Sequence, residues 1–487
     1  MPPQIATLVC ILGIVGLFAL DRDRNVRTSK GLWIPVVWGW ILGSREVSIW
    51  LAAFGMGQAG TLSPSSELAG DPLDRNLYTV LLMLGVIVLL RRGRQVGHLL
   101  RANGPILLFF LYCAASVLWS DYPEVSFKRW IKAVGDLIMV VIVLTDRDRL
   151  AAIKRFLTRT GFLLVPFSVL LIKYYLDLGR RFDPSTGKQI FIGVTTDKNA
   201  LGATCLLFGL GCLWRFLAAY RDREGTHSTR HLIVHGTLLA MVMWLFSKAN
   251  SMTSLLCFAL ASGLIVATSV PVLARKRAVV NILVATVLAV PALPLFLDTG
   301  TGLLGTVGRD ATLTGRTEIW KQALAKDTSP ILGAGFESFW LGGPLDGRGY
   351  GRSWHVNEAH NGYLEVYLNL GWVGAVLLAV VIVTGYRNVI DLLRRDSEAG
   401  RLRLAYFVVG LMYSYTEAGF RMMGLVWICF LLAAARDSMA ETAVPEWHTA
   451  EAGAYRSSET AGYKSLSTRF VSSTLPVQKS RRGIVRG

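Results

Sequence analysis

The chain has 487 residues, of which 52% are hydrophobic and 17% charged, with a mean hydropathy of +0.44, far from the balance of a soluble globular protein. Apolar runs recur from the first residues to about position 435, which excludes a string of soluble domains, because a soluble core cannot bury so many uninterrupted apolar segments. The 51 Lys and Arg against 33 Asp and Glu give a net charge of +18; whether that charge means nucleic acid or membrane topology depends on where it sits.

Apolar stretches near 4–20, 32–44, 76–90, 104–119, 130–145, 161–176, 199–219, 232–247, 252–271, 278–297, 362–385 and 404–435 are the expected spans. The first has no small-residue cleavage site before the basic DRDRNVRTSK and reads as a span, not a signal peptide. The last is interrupted by SYTEAGFR and reads as two short helices joined by a tight turn. The expected fold is therefore an all-α polytopic membrane protein of about twelve transmembrane helices, thirteen with that hairpin, and one large external loop. Its parts are 1–297 with ten spans, the loop 298–361, the C-terminal spans 362–435 and a polar tail 436–487 that reads as disordered and cytoplasmic.

Loop charge supplies the orientation. Segments 21–31, 91–103, 145–160, 214–231, 271–277 and 386–403 carry 25 basic residues, whereas the alternate segments 45–75, 120–129, 177–198 and 248–251 carry 9. The first set belongs on the cytoplasmic side, which puts loop 298–361 outside. Much of the positive charge is thus a topology signal, and nucleic-acid binding is not expected.

All six cysteines lie in apolar stretches without a CxxC pair, so neither a disulfide framework nor a zinc site is expected. His231 and His235 share a helical face, but with no carboxylate close in sequence they read as interfacial. Phosphate-binding GxxxxGK[ST], dinucleotide-binding GxGxxG and hydrolase GxSxG motifs find no credible context.

The informative chemistry is in the external loop, with TLTGRTEIW (312–320), ILGAGFESFW (331–340) and WHVNEAHNGYLEVYLNLGWVGAV (354–376). A helix is expected from Thr317 to about Lys326, with Gly315 turning the chain and Arg316 just before the helix, a setting suited to phosphate. The alternative is a solvated Arg316 or one paired with Glu318. His360, followed by Asn361 and Gly362 at a span start, is a candidate base or phosphate ligand, with a structural donor as the alternative.

At these residues the chain resembles the O-antigen ligase and Wzy-type polymerase superfamily, especially its exopolysaccharide-polymerase branch. His360, Asn361, nine residues and then Gly371, Trp372, Val373, Gly374 match the ligase signature, although Ala375 stands where Gly, Thr or Tyr is usual. The stretches LWIPVVWGWILGSREVSIWL (32–51), GDPLDR (70–75), VLWSDYPEVSFKRWIK (117–132) and GVTTDKNALG (193–202) look like the same branch. The resemblance implies a helical bundle with a large periplasmic loop, related to the C-type glycosyltransferases, in the bacterial inner membrane. It implies transfer of a glycan from undecaprenyl diphosphate to another lipid-linked repeat or to a lipid A core, without metal or other cofactor. Partners of flippase and chain-length-regulator type would accompany it.

Two essential arginines and one histidine are implied. His360 and Arg316 match by motif, and Arg180, Arg181 or Lys198 are candidates for the remaining diphosphate contact. Asn361, Glu318, Glu365, Glu417 and Arg421 are expected in support. Glu417 and Glu365 are alternative bases, unless Glu417 merely pairs with Arg421 and Glu365 merely opens a helix. The external carboxylates Asp310, Glu318, Asp327, Glu337, Asp346 and Glu358 form no close pair in sequence. A transporter is the rival class, but two halves with matching interrupted spans are not evident.

Overall fold

The computed structural model describes residues 1–22, 28–56, 70–182, 187–222, 228–296, 312–341 and 357–437. Asp310, Asp346 and most of the tail lie outside them. The chain is nearly all helical. In order it forms α1 (Pro3–Leu20), α2 (Trp33–Leu42), α3 (Val47–Ala53), α4 (Pro72–Arg91), α5 (Gly93–Ala102), α6 (Gly104–Ala115), α7 (Pro123–Leu144) and α8 (Arg149–Tyr174). There follow α9 (Lys198–Arg221), α10 (Ser228–Ala249), α11 (Met252–Ala267), α12 (Arg277–Phe296), α13 (Thr312–Ala325), α14 (Gly362–Arg395), α15 (Ser397–Tyr413) and α16 (Leu425–Ala434).

The starts of these helices are written in the sequence. Proline, whose missing N–H costs nothing in a first turn, stands at or next to the first position of α1, α4, α6 and α7. Asp148, Asp197, Asn361 and Asp396 cap α8, α9, α14 and α15 by accepting hydrogen bonds from first-turn N–H groups.

Six helices, α1, α4, α8, α9, α10 and α14, are long and apolar enough to cross a membrane. The pair α5 and α6 passes the same test together but bends by 88°, and α2, α11, α12 and α16 are shorter apolar helices. Each expected span coincides with a helix, and the last one divides into α15 and α16 around residues 414–424. Four departures matter. The helix expected from about 130 starts at Pro123, the one expected from Thr317 starts at Thr312, α14 runs on to Arg395, and Arg180–Phe182 pairs with Gln189–Phe191 as a small antiparallel sheet.

Consecutive long helices run in opposite directions, which gives the bundle two distinct ends. At the end near His360, Thr7 of α1 meets Tyr175 just past α8 at 2.7 Å, and Ser48 binds Asp74 of α4. At the other end Arg92 meets Asp146 at 3.1 Å, Arg215 meets Asp21 at 3.2 Å, and Arg401 donates to the Thr268 carbonyl.

Helices α8 and α9 form the interior, with 72% and 67% of their apolar windows buried, against 11% for α1 and 22% for α4. The exposed Leu8, Leu12, Val15, Val80, Met83 and Leu90 of α1 and α4 form an apolar outer surface of the kind a lipid environment accepts. Inside, Trp427, Phe420 and Phe430 pack with Phe109, Phe110 and Phe407, so the turn at 414–424 is held by its own aromatics.

Candidate functional site

The segment 357–362 is fixed from every side. Ala359 donates its N–H to the buried carboxylate of Glu365, and its carbonyl accepts the indole N–H of Trp320 at 2.7 Å. Asn361 caps α14 through Oδ1, which accepts from the N–H groups of Tyr363 and Leu364 at 3.0 and 3.1 Å. Gly362 donates to the carbonyls of Ser414 and Glu417; a Cβ there would lie 2.9 Å from the Ser414 side chain. Between these anchors His360 sits at φ +50°, a left-handed conformation unfavourable for a side-chain-bearing residue. The Asn and Gly after the histidine thus tie it to the 414–424 turn.

That turn supplies what His360 touches. His360 Nδ1 lies 3.3 Å from Glu417 Oε2 and 2.9 Å from Glu358 Oε1. The other oxygen of Glu417 accepts from Arg316 Nη2 at 3.0 Å, while Arg316 Nη1 donates to the Thr416 carbonyl at 2.5 Å. Arg421 reaches Glu337 at 3.2 Å and Glu358 at 3.5 Å, and Arg129 donates to the Glu337 carbonyl at 2.5 Å. The result is a continuous chain of alternating charge from Arg316 through Glu417, His360, Glu358 and Arg421 to Glu337.

The charges set the proton inventory. Burial lowers the affinity of His360 for its proton, but hydrogen bonds to Glu358 and Glu417 and their charges outweigh it and raise its pKa to about 9. Burial pushes Glu358 up; the hydrogen bond from His360, its charge and the charges of Arg421 and Arg316 prevail and hold it below the ordinary value. Glu337, Glu365 and Glu358 raise the pKa of Arg421, Glu337 first, against burial. At neutral pH His360 is therefore an imidazolium between carboxylates. Glu358, His360 and Glu417 offer ligand atoms within 4.8 Å of one another; a metal there would displace the His360 proton and compete with Arg316 and Arg421 for the carboxylates.

The chain borders a cavity of about 490 Å³ whose lining includes Glu337, Glu358, Glu417 and Arg421 together with Glu46, Arg129, Lys132 and Asp197; Arg316 and His360 are not in the lining and meet it through Glu417 and Glu358. Arg129, Lys132 and the buried Asp136 recur at i, i+3 and i+7 on one face of α7. Asp136 accepts from the indole of Trp38 at 2.8 Å and from the N–H of Met423 at 2.7 Å, which fixes the turn just past Arg421.

Several expected partners differ in the structure. Arg316 lies within α13, not before it, and pairs with Glu417 instead of Glu318; Glu318 accepts from Gln322 at 2.9 Å. Glu417 pairs with Arg316 and His360 and not with Arg421. Glu365 lies beneath the histidine segment, bound by Ala359 and Trp340, outside the cavity lining. Glu337 and Glu358, far apart in sequence, meet at Arg421. The cavity lining includes none of Arg180, Arg181 and Lys198. Arg180 donates to the Ile172 carbonyl at 3.0 Å and lies over the Phe191 ring, and Arg181 is exposed.

His231 and His235 do have a carboxylate, brought from the end of α1. Asp21 Oδ1 is 3.2 Å from His231 and 3.3 Å from His235. Arg215 also contacts both rings and the carboxylate. Arg129 and Lys132 were not singled out in the sequence; charged residues repeating on one face of an apolar helix were the signal available.

Gly371 explains the second half of the histidine motif. Its φ of +63° and ψ of −164° break α14, which exposes N–H groups of Trp372 and Val373 to the carbonyls of Pro330 and Ile331 at 2.9 and 3.2 Å. A Cβ at 371 would stand 2.2 Å from the Ile331 carbonyl oxygen. The kink thereby docks the 330–341 segment, and with it Glu337, beside the histidine.

This is a multi-pass membrane protein with a half-buried polar cluster at one end of its helices. A model of the O-antigen ligase family (Wzy_C) matches residues 225–379, which contain Arg316, Glu337, Glu358 and His360; Arg129, Lys132, Glu417 and Arg421 lie outside that match. Over 289 residues the chain is 25% identical to the exopolysaccharide production protein ExoQ of Rhizobium meliloti (strain 1021), a match covering 58% of this chain and 64% of the relative. Over these stretches the chain is similar to the O-antigen ligase family and to ExoQ.

Proposed function

We propose that the protein is a glycosyltransferase that moves a glycan from undecaprenyl diphosphate to an acceptor hydroxyl, extending exopolysaccharide or O-antigen repeats at the periplasmic face of the inner membrane. In this reading α1, α2, α4, α6 to α12 and α14 to α16 make thirteen crossings in a fold like that of the C-type glycosyltransferases. Loop 298–361 faces the periplasm, and the tail beyond residue 437 is cytoplasmic. The observation that carries the reading is the Arg316, Glu417 and His360 chain at the edge of a 490 Å³ cavity.

In the reaction the bond from sugar C1 to the diphosphate oxygen breaks and a bond from C1 to the acceptor oxygen forms. Negative charge grows on the leaving diphosphate, and preorganised donors that hold it more tightly in the transition state lower the barrier. Arg421, Arg129 and Lys132 line the cavity and supply charge there, and Arg316 and the His360 imidazolium, held by Glu417 and Glu358, supply donors once the diphosphate takes the place of those carboxylates. Because His360 already carries its proton, it donates to the diphosphate, and the hydroxyl proton passes to a carboxylate, Glu358 or Glu417. The carboxylates also keep the empty cluster near neutrality, so the diphosphate displaces them from the cations when it binds.

The test is purified protein with an undecaprenyl-diphosphate-linked repeat, alone and with a lipid A core acceptor. Growth of the lipid-linked chain is expected. Transfer to the core identifies a ligase instead, and movement of the lipid-linked glycan across the bilayer without a new glycosidic bond identifies a transporter. Full activity of both His360→Ala and Arg316→Ala overturns the site.

A further inference from the structure

At the end of the bundle away from His360, the chain builds a second polar recess. Helix α4 ends at Arg91, and α5 leaves almost at right angles to α6, so the chain from Arg91 to Arg94 lies across the helix ends. The recess, about 560 Å³, is lined by Arg91, Arg92, Arg94 and Arg147 together with Ser29 and Thr145, and among the described residues no acidic side chain lines it.

One of the four arginines is structural. Arg92 donates to the Ile142 carbonyl at 2.7 Å, to Thr145 at 3.0 Å and to Ser29 at 2.5 Å, and meets the buried Asp146 at 3.1 Å. Asp146 is further occupied by the N–H groups of Ser29 and Arg147. Its single negative charge is therefore spent on holding the recess together. Arg91, Arg94 and Arg147 are exposed, and among the described residues none of their side chains has a hydrogen-bond or ion-pair partner.

Four guanidinium groups around one recess repel each other and attract a compact anion with several acceptor oxygens, which is the chemistry of a phosphate group. The surroundings distinguish a lipid from a soluble phosphate. Leu90, 74% exposed, and Ile87, 45% exposed, continue the apolar outer face of α4 directly up to Arg91. A molecule with its phosphate in the recess has apolar protein surface beside it for acyl chains. On the amphipathic α5, Leu99 is buried while Arg94 is exposed, as for a helix lying in the interface plane. We propose that the recess formed by Arg91, Arg92, Arg94 and Arg147 binds the headgroup phosphate of an anionic phospholipid.

The inference is independent of glycosyl transfer, and its test needs no activity. The full chain is reconstituted in nanodiscs of mixed phosphatidylglycerol and phosphatidylcholine, and lipid retained after exchange into detergent is measured by native mass spectrometry. A basic residue near an anionic surface contributes about a fivefold preference, so at least about fivefold enrichment of phosphatidylglycerol is expected. Arg91→Gln/Arg94→Gln/Arg147→Gln is expected to lose the enrichment, and the triple Lys variant to keep most of it. The three residues bond nothing else among those described, so the melting temperature in pure phosphatidylcholine should stay unchanged and report an intact fold. Equal retention of both lipids, or enrichment that survives in the Gln variant, overturns the proposal. Displacement of the lipid by millimolar glycerol phosphate or inorganic phosphate also overturns it, in favour of a soluble phosphate.

Discussion

Glu417→Gln tests the assignment of the proton on His360. Glu417 and Glu358 stand 3.3 and 2.9 Å from His360 Nδ1, and together they overcome burial to raise the histidine to about 9. An opposite charge at such a distance contributes roughly 5 kcal/mol at an effective dielectric constant of 20. The ring is 32% exposed, and screening reduces that ceiling severalfold. A loss of about 1.4 to 2.7 kcal/mol lowers the pKa by about one to two pH units, and the Arg316 charge left without its carboxylate acts in the same direction. The assay is a pH profile of glycan transfer by wild type and variant. If the imidazolium donates to the diphosphate, activity holds below pH about 9 and falls above it, and the alkaline limb of Glu417→Gln moves to about pH 7 to 8. An unmoved limb refutes the role of Glu417. Activity that rises as pH increases through about 9 refutes the donor role and makes His360 the base. Stability follows the same sign. The folded pKa is raised, so the stabilisation from His360 is complete below its ordinary value of 6.5 and is lost as pH rises through about 9.

Arg129→Gln and Lys132→Gln should each lower transfer by about tenfold or more, the loss of roughly 1.4 kcal/mol of charge stabilisation, whereas Arg181→Gln should stay within about twofold; the reverse order returns the second diphosphate contact to the 180–198 segment. Gly371→Ala should destabilise by about 3 kcal/mol or more, since the backbone there is of the glycine type and a Cβ meets the Ile331 carbonyl, and a melting temperature equal to wild type contradicts the kink. Glu365→Gln leaves one of the donors Ala359 N–H and Trp340 Nε1 without a good acceptor, at about 1 to 3 kcal/mol. It should lower both melting temperature and turnover while leaving the pH limb of His360 in place; a shifted limb instead makes Glu365 part of the proton chemistry.

The amino-acid sequence by itself determined the helices. Apolar run length and Asp, Asn and Pro at the helix starts are local signals, so each expected span coincides with a helix and SYTEAGFR marks the turn between α15 and α16. The motif residues His360 and Arg316 were legible as well, because the segments around them are distinctive. Their partners were not. Glu417 lies 57 residues from His360 and 101 from Arg316, and Arg421 is 84 residues from Glu337, so nothing local distinguishes these pairings from the nearer Glu318 or from a Glu417 and Arg421 pair four residues apart. The protonation of His360 belongs to the same category, since it depends on two carboxylates that approach only when the 357–362 segment is pinned under the 414–424 turn. Arg129 is helical because α7 begins about two turns before the apolar run, Lys132 follows it one turn on, and Asp21 reached His231 and His235 because the end of α1 packs beside the start of α10. Apolar periodicity fixes which residues are helical, whereas the pairing of charges is fixed by which helix ends packing brings together, and that is a property of the assembled bundle.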